Sequence, residues 1–72
     1  MRYLVVIEKT ETGYSAYVPD LPGCITVGET REETENNIQE AILLHIEGMK
    51  EDGEPIPPAI SEGMNLIIPE TA

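Results

Sequence analysis

Tyr14-Ser15-Ala16-Tyr17-Val18-Pro19-Asp20-Leu21-Pro22-Gly23-Cys24-Ile25-Thr26-Val27-Gly28 is the stretch on which the fold turns. Its first five residues alternate, with Tyr14, Ala16 and Val18 on one side of an extended chain and Ser15 and Tyr17 on the other. Pro19 and Pro22 each lack an amide donor and pin φ, so Pro19 to Gly23 cannot continue a central strand; Gly23 permits the chain to turn back, and the loop is stiff. Cys24 to Val27 then reads as the next strand, ending at Gly28. Upstream, Tyr3 to Ile7 is a run of five apolar residues rich in β-branched types. It is too short for a helix, which needs ~10 or more residues, and suits a strand covered on both faces. The polar stretch from Glu8 to Gly13 joins it to the alternating segment as a hairpin.

Downstream, Thr30 and Glu33 form a Thr-x-x-Glu capping box, in which each side chain accepts from the other residue's backbone amide, so a helix starts at about Arg31. Glu32, Glu33 and Glu35 lie where the partial positive charge of a helix N-terminus favours acids, and Lys50 lies near the opposite end. Ile38, Ala41, Ile42, His45, Ile46 and Met49 share an arc of roughly 140°, the stripe of a helix packed on a sheet. Leu43 and Leu44 fall outside it. The helix should stop near Asp52, where Gly53 suits the left-handed C-terminal position and Pro55, Pro57 and Pro58 forbid continuation. Met64 to Ile68 can form a short fourth strand. These elements predict an α+β fold of the order β-β-β-α-β: a three-stranded antiparallel meander with one helix on one face. The fourth strand returns parallel beside the first in the order 3-2-1-4, which makes the first strand central.

The chain has 72 residues, a single domain covering 1–72. Four Lys and Arg stand against fourteen Asp and Glu, a net charge of −10 that disfavours direct capture of nucleic acid. A core of this size rarely yields more than roughly 3 to 5 kcal/mol without disulfide, metal or a partner subunit. The single Cys24 cannot form an internal disulfide, and one Cys with one His is too few for structural zinc, so association between chains is the remaining stabiliser. The N-terminal stretch lacks the pattern of a signal peptide and no apolar run approaches a membrane span, so a cytoplasmic protein with reduced Cys24 is expected.

Candidates for chemistry are few. His45 sits within the apolar arc and reads as a packed histidine. Cys24 has no basic neighbour in sequence to lower its pKa and reads as a small apolar residue. No Gly-x-Ser-x-Gly elbow surrounds any serine, and Gly13, Gly23 and Gly28 are isolated turn glycines, not a phosphate loop. Carboxylates could in principle bind Mg²⁺ for phosphodiester cleavage on a ribonuclease-H-like core. Such a site needs an acid inside the first strand, whose interior is apolar, with Glu8 only at its end; most acids, at 32, 33, 35, 40, 47, 51 and 52, look like a solvated helix face. Neither a cofactor nor a metal site is expected. Tyr14 and Tyr17 point to opposite faces of their strand, so one of them is free to meet a partner.

The opening Tyr3-Leu4-Val5-Val6-Ile7-Glu8-Lys9, the strand Gly13-Tyr14-Ser15-Ala16-Tyr17, and above all Pro19-Asp20-Leu21-Pro22-Gly23-Cys24 resemble the N-terminal domain of HicB-like antitoxins. The likeness continues through Gly28, Thr30 and Glu33 into Ala41-Ile42, Gly48-Met49 and Glu51-Asp52-Gly53-Glu54-Pro55-Ile56-Pro57, spanning about residues 3 to 58. The resemblance implies a partly degraded ribonuclease-H-like fold and a role in neutralising HicA, a small basic toxin that cleaves messenger RNA with a histidine. It also implies oligomers, commonly dimers or larger. Full-length family members carry a C-terminal DNA-binding domain that these 72 residues lack, so direct DNA binding is not expected of this chain.

An acidic protein suits a basic RNA-binding surface, raising the encounter rate and excluding substrate phosphates. Glu8, Tyr17, Asp20 and Leu21, at the motif positions bordering the first two strands and the stiff loop, are the candidate toxin contacts. Leu43, Leu44, Leu66 and Ile68 are the candidate contacts with a second copy of the chain. The expectation is a self-associating binding module that covers the active site of a HicA-type toxin. A Mg²⁺-dependent nuclease and an orphan structural or regulatory oligomer are its rivals.

Overall fold

The computed structural model describes residues 1–70. Three strands, β1 (Val6–Lys9), β2 (Tyr14–Tyr17) and β3 (Ile25–Gly28), precede one helix, α1 (Arg31–Glu51). The strands form an antiparallel sheet in the order β1-β2-β3, and α1 lies across β2 and β3 on one face. The register pairs Ile7 with Ala16 and Ala16 with Thr26, setting Ala16 at the centre of the helix-facing side. Ala16, Val18, Leu21, Cys24 and Ile38 form the buried core, with Tyr3, Val5, Ile7, Ala41, Ile42 and Ile46 packed around it. Among the described residues no helix is long and apolar enough to cross a membrane.

The helix begins and ends where its capping residues place it. Thr30 Oγ1 accepts the Glu33 amide at 3.1 Å, satisfying one of the free donors of the first turn. The return bond differs from the expected box: Glu33 Oε2 accepts from the Glu29 amide at 3.3 Å rather than from Thr30. Gly53, at φ +70°, closes the C-terminus, and the amides of Asp52, Gly53 and Glu54 reach back to the carbonyls of Gly48, Lys50 and Met49. The expected apolar stripe faces the sheet, with Ile38 fully buried and the other members half-buried, while Leu43 and Leu44 are exposed.

The sheet corrects two expectations. Met64 to Ile68 does not form a fourth strand: these residues are exposed and belong to no ladder, so the order 3-2-1-4 is not formed within the chain. The central strand is consequently β2, and β1 is an edge. The apolar run from Tyr3 to Ile7 owes its partial burial to packing and not to strands on both sides. Its first half leads into β1 against the core, beside residues 61–63, and only Val6 onward enters the ladder.

Candidate functional site

The face of the sheet turned away from α1 is built by alternation. With Ala16 buried under the helix, its neighbours Ser15 and Tyr17 must face outward, and the register carries this outward set across all three strands. Val6, Tyr17 and Ile25 form one cross-strand row; Glu8, Ser15 and Val27 form the next. Ile25 is 64% exposed, Val27 67% and Tyr17 38%, so this is an open, largely apolar face with one acid on it. Glu8 and Tyr17, both singled out in the sequence, are brought together here as diagonal neighbours. Ile25 and Val27 were missed, although their alternation with Cys24 and Thr26 carried the signal: Cys24 is buried, which sends Ile25 and Val27 outward.

The same face continues into the stiff loop, where Tyr17, Val18, Pro19, Pro22, Gly23 and Ile25 border a shallow apolar groove. Three backbone bonds close the loop: the Val18 amide to the Cys24 carbonyl at 3.1 Å, Leu21 to Val18 at 3.1 Å and Cys24 to Leu21 at 3.0 Å. Gly23, at φ +84°, makes the turn that side-chain-bearing residues rarely adopt. Leu21 points inward and is fully buried, which makes it the core residue on which the loop sits.

Asp20 is neither free nor on the sheet. Its Oδ2 accepts the amides of Ile60 and Ser61, both at 2.8 Å, and its Oδ1 accepts the Ser61 hydroxyl at 2.6 Å. These bonds, the Ser61 hydroxyl first among them, hold the Asp20 carboxyl below its ordinary range. Asp20 thus ties the segment after the helix to the loop between β2 and β3. Nothing in the local sequence could reveal this, because its partners lie 40 and 41 residues away.

The remaining candidates carry little chemistry. Burial pushes the Cys24 thiol up, away from the reactive thiolate. His45 is half-buried on α1 in a hollow shared with Leu44, Met49, Asp52 and Pro57. Among the described residues no three His, Cys, Asp or Glu come together so as to hold a metal. Leu66 and Ile68 lie on the exposed C-terminal segment, and Leu43 and Leu44 on the solvent side of α1, so the two pairs do not share an element.

A family model described as the HicB-like antitoxin of bacterial toxin-antitoxin systems matches residues 3–70. The chain belongs to this family. Antitoxins of this kind are binding modules and not enzymes. A UPF0150 protein of Thermoplasma acidophilum is 50% identical over 58 residues, covering 79% of this chain and 84% of that protein. A 14.9 kDa protein from the rep-hol intergenic region of Haemophilus phage HP1 is 51% identical over 57 residues, 79% of this chain and 43% of its own length. Antitoxin HicB 2 of Photorhabdus laumondii is 38% identical over 63 residues, 88% of this chain and 45% of that protein. The chain therefore spans under half of the last two relatives. Among solved structures, a chain of a HicA3 and HicB3 toxin-antitoxin complex superposes with a TM-score of 0.72 at 37% identity, covering 82% of this chain and 70% of that one.

Proposed function

We propose that this HicB-like chain neutralises a small basic mRNA-cleaving toxin of the HicA type by covering the toxin's active site with the outer face of its sheet. The observation that carries the reading is that face itself: an uncovered apolar surface of Tyr17, Ile25 and Val27 on a chain of net charge −10. The two properties act at different stages. Net negative charge accelerates encounter with a cationic partner, an effect that falls with salt. Desolvation of a central aromatic holds the complex once it forms. Tyr17, in the central strand, is the anchor, and Glu8 beside it meets a toxin cation. Asp20 and Leu21 act through the loop they fix, one by tying it to Ser61 and the other by filling the core beneath it. Occlusion needs no bond-breaking step, so exclusion of RNA from the toxin is sufficient for inhibition.

The test is calorimetric binding and RNA-cleavage assays with a purified toxin of the HicA type, taken from the neighbouring gene where that gene encodes a small basic protein. Binding should abolish cleavage and its on-rate should fall as salt rises. Tyr17→Ala should weaken binding by ~30-fold or more, the behaviour of an interface anchor. Unchanged affinity in Tyr17→Ala and Glu8→Lys together would place the contact elsewhere. Self-association in the cytoplasm is the second part of this reading, supported by the exposure of Leu43, Leu44, Leu66 and Ile68.

A further inference from the structure

We infer that the free edge of β3 receives an extended segment of the cationic toxin as an added strand, with apolar side chains of that segment beside Ile25 and Val27 and its lysines or arginines against the acidic flank of α1. This rests on the toxin-capture reading above and specifies how the partner is held.

The edge is open in a defined pattern. The Val18 amide donates to the Cys24 carbonyl at 3.1 Å, and further along the ladder Ala16 stands opposite Thr26 and Tyr14 opposite Gly28. Bonded and non-bonded pairs alternate between antiparallel strands, so Cys24, Thr26 and Gly28 turn their backbone groups to β2, while those of Ile25 and Val27 point away from the sheet. Asn37 confirms the direction, since its Nδ2 donates to the Val27 carbonyl at 2.9 Å. The Ile25 amide, the Ile25 carbonyl and the Val27 amide have no partner among the described residues. β3 holds no charge, proline or bulge that would blunt it, and such an edge is a template for another strand.

Alternation gives an incoming strand two different faces. On the outer side its residues lie beside Ile25 and Val27, 64% and 67% exposed, and extend the apolar surface that includes Tyr17. On the other side they meet the flank of α1 next to β3. Asn37 identifies that flank because its side chain reaches Val27; Glu33 and Glu40, four residues before it and three after, share it. Both acids are exposed. The helix sets them about 10 Å apart, within reach of two Lys or Arg side chains at i and i+2 of a strand, ~6.8 Å apart. At its Gly28 end the edge opens into a hollow lined by Thr10, Thr12, Tyr14, Glu29 and Glu33. Lys9 Nζ already stands 4.9 Å from the centroid of the Tyr14 ring, so the carboxylates are what a partner's cation meets there.

The occupant is therefore an extended segment in which apolar residues alternate with lysine or arginine. The β1 edge lacks such a rim: the groove beside it is apolar, and Glu35, on its border, is held by Arg31 Nε at 3.2 Å. A second copy of the chain, at −10, is repelled by Glu29, Glu33 and Glu40. Ion pairs at an exposed rim set register and encounter more than affinity, and the strand bonds with the apolar row hold the complex.

The test uses the full chain with a purified toxin of the HicA type. Amide hydrogen exchange followed by NMR reads the edge directly: the Ile25 and Val27 amides should exchange freely in the chain alone and slow by ~10-fold or more in the complex. Ile25→Pro removes an amide that makes no ladder bond, which an edge strand tolerates, whereas Ile25→Ala loses the apolar side chain and keeps the amide. The proline variant should bind toxin ~10-fold more weakly than the alanine variant. Glu40→Lys should speed dissociation by about threefold, while Glu62→Lys, the same charge change on the segment after the helix, should alter association alone. Toxin binding that is weakened by Tyr17→Ala but leaves the Ile25 and Val27 amides exchanging freely overturns the added strand and leaves capture by the outer face standing. A toxin that does not bind the chain overturns both. Protection of these amides in the chain alone, growing with its concentration, assigns the edge to a second copy and overturns the cationic occupant.

Discussion

Leu21→Ala separates a core role from a contact role at the residue where the two readings diverge most. Leu21 is fully buried, at the bottom of a loop whose ends are bonded through Val18 and Cys24. Truncation to Ala removes three carbons, worth about 2.4 kcal/mol at about 0.8 kcal/mol each. A cavity term adds to this at about 24 cal/mol per Å³ wherever the surroundings fail to collapse. Collapse is resisted here, because three backbone hydrogen bonds and the prolines hold the loop in shape. The expected loss lies in the upper half of the ~2 to 5 kcal/mol range for such truncations. Against a total of roughly 3 to 5 kcal/mol for a core of this size, the variant should be largely unfolded in water, whereas Leu21→Met should cost under about 1.5 kcal/mol. Urea titration by circular dichroism at one fixed protein concentration measures this, the concentration being held because any association adds to apparent stability. Loss of toxin binding by Leu21→Ala should follow the unfolded fraction. A variant that keeps the wild-type urea midpoint but loses toxin binding would refute the placement of Leu21 in the core and restore it to the contact surface.

Asp20 supplies a pH test. Its folded carboxyl titrates below the ordinary value, so its contribution is fully present above the unfolded value of ~3.9 and is lost as pH falls through the lower folded one. The Ser61 amide resonance should therefore stay at its neutral-pH position down to about pH 4 and move only below it, and should be displaced at every pH in Asp20→Ala; a midpoint in the usual carboxylate range would count against the clamp. Gly28→Ala places a methyl group against Thr34 Oγ1 and 2.9 Å from the Thr34 amide nitrogen, at the contact between β3 and α1. Overpacking of this kind costs typically ~1 to 3 kcal/mol, and an unaltered melting temperature would show that α1 can shift to absorb it. Thr30→Ala deletes the acceptor of the Glu33 amide and should cost ~1 kcal/mol, which Thr30→Ser should largely restore.

What could be read from the chain was local. Thr30, Glu33 and Gly53 give the helix limits because a cap is an interaction between neighbours in sequence, and the structure starts and ends α1 where they indicate. The alternation from Tyr14 to Val18 and the turn at Gly23 are legible for the same reason. The assignment that failed was the one requiring a distant partner. An uncharged run such as Met64 to Ile68 reports that it suits a ladder, without reporting which strand completes it. The double-sided apolar character of Tyr3 to Ile7 suits a central position in the sheet, which the chain does not give it. Its burial comes instead from side-chain packing on one flank and from the segment after the helix on the other. The candidate site divides along the same line. Glu8 and Tyr17 share a face because of strand alternation, which sequence shows, whereas the engagement of Asp20 by Ser61 depends on a contact across 41 residues.

Most of the charge and most of the exposed apolar surface lie on different parts of this small protein. The acids of α1 at Glu32, Glu35, Glu40, Glu47 and Glu51 are all exposed, on an element packed against the opposite side of the sheet from the outer face. They contribute to the long-range field without being desolvated when the outer sheet face is covered, so attraction of a cationic partner is gained at little desolvation cost. The outer face carries Tyr17, Ile25 and Val27, whereas the edge of β1 and its groove involve Val5, Ile7, Ile38 and Ile42. These residue sets do not overlap. Covering the outer face would therefore leave the β1 edge and the groove beside it open.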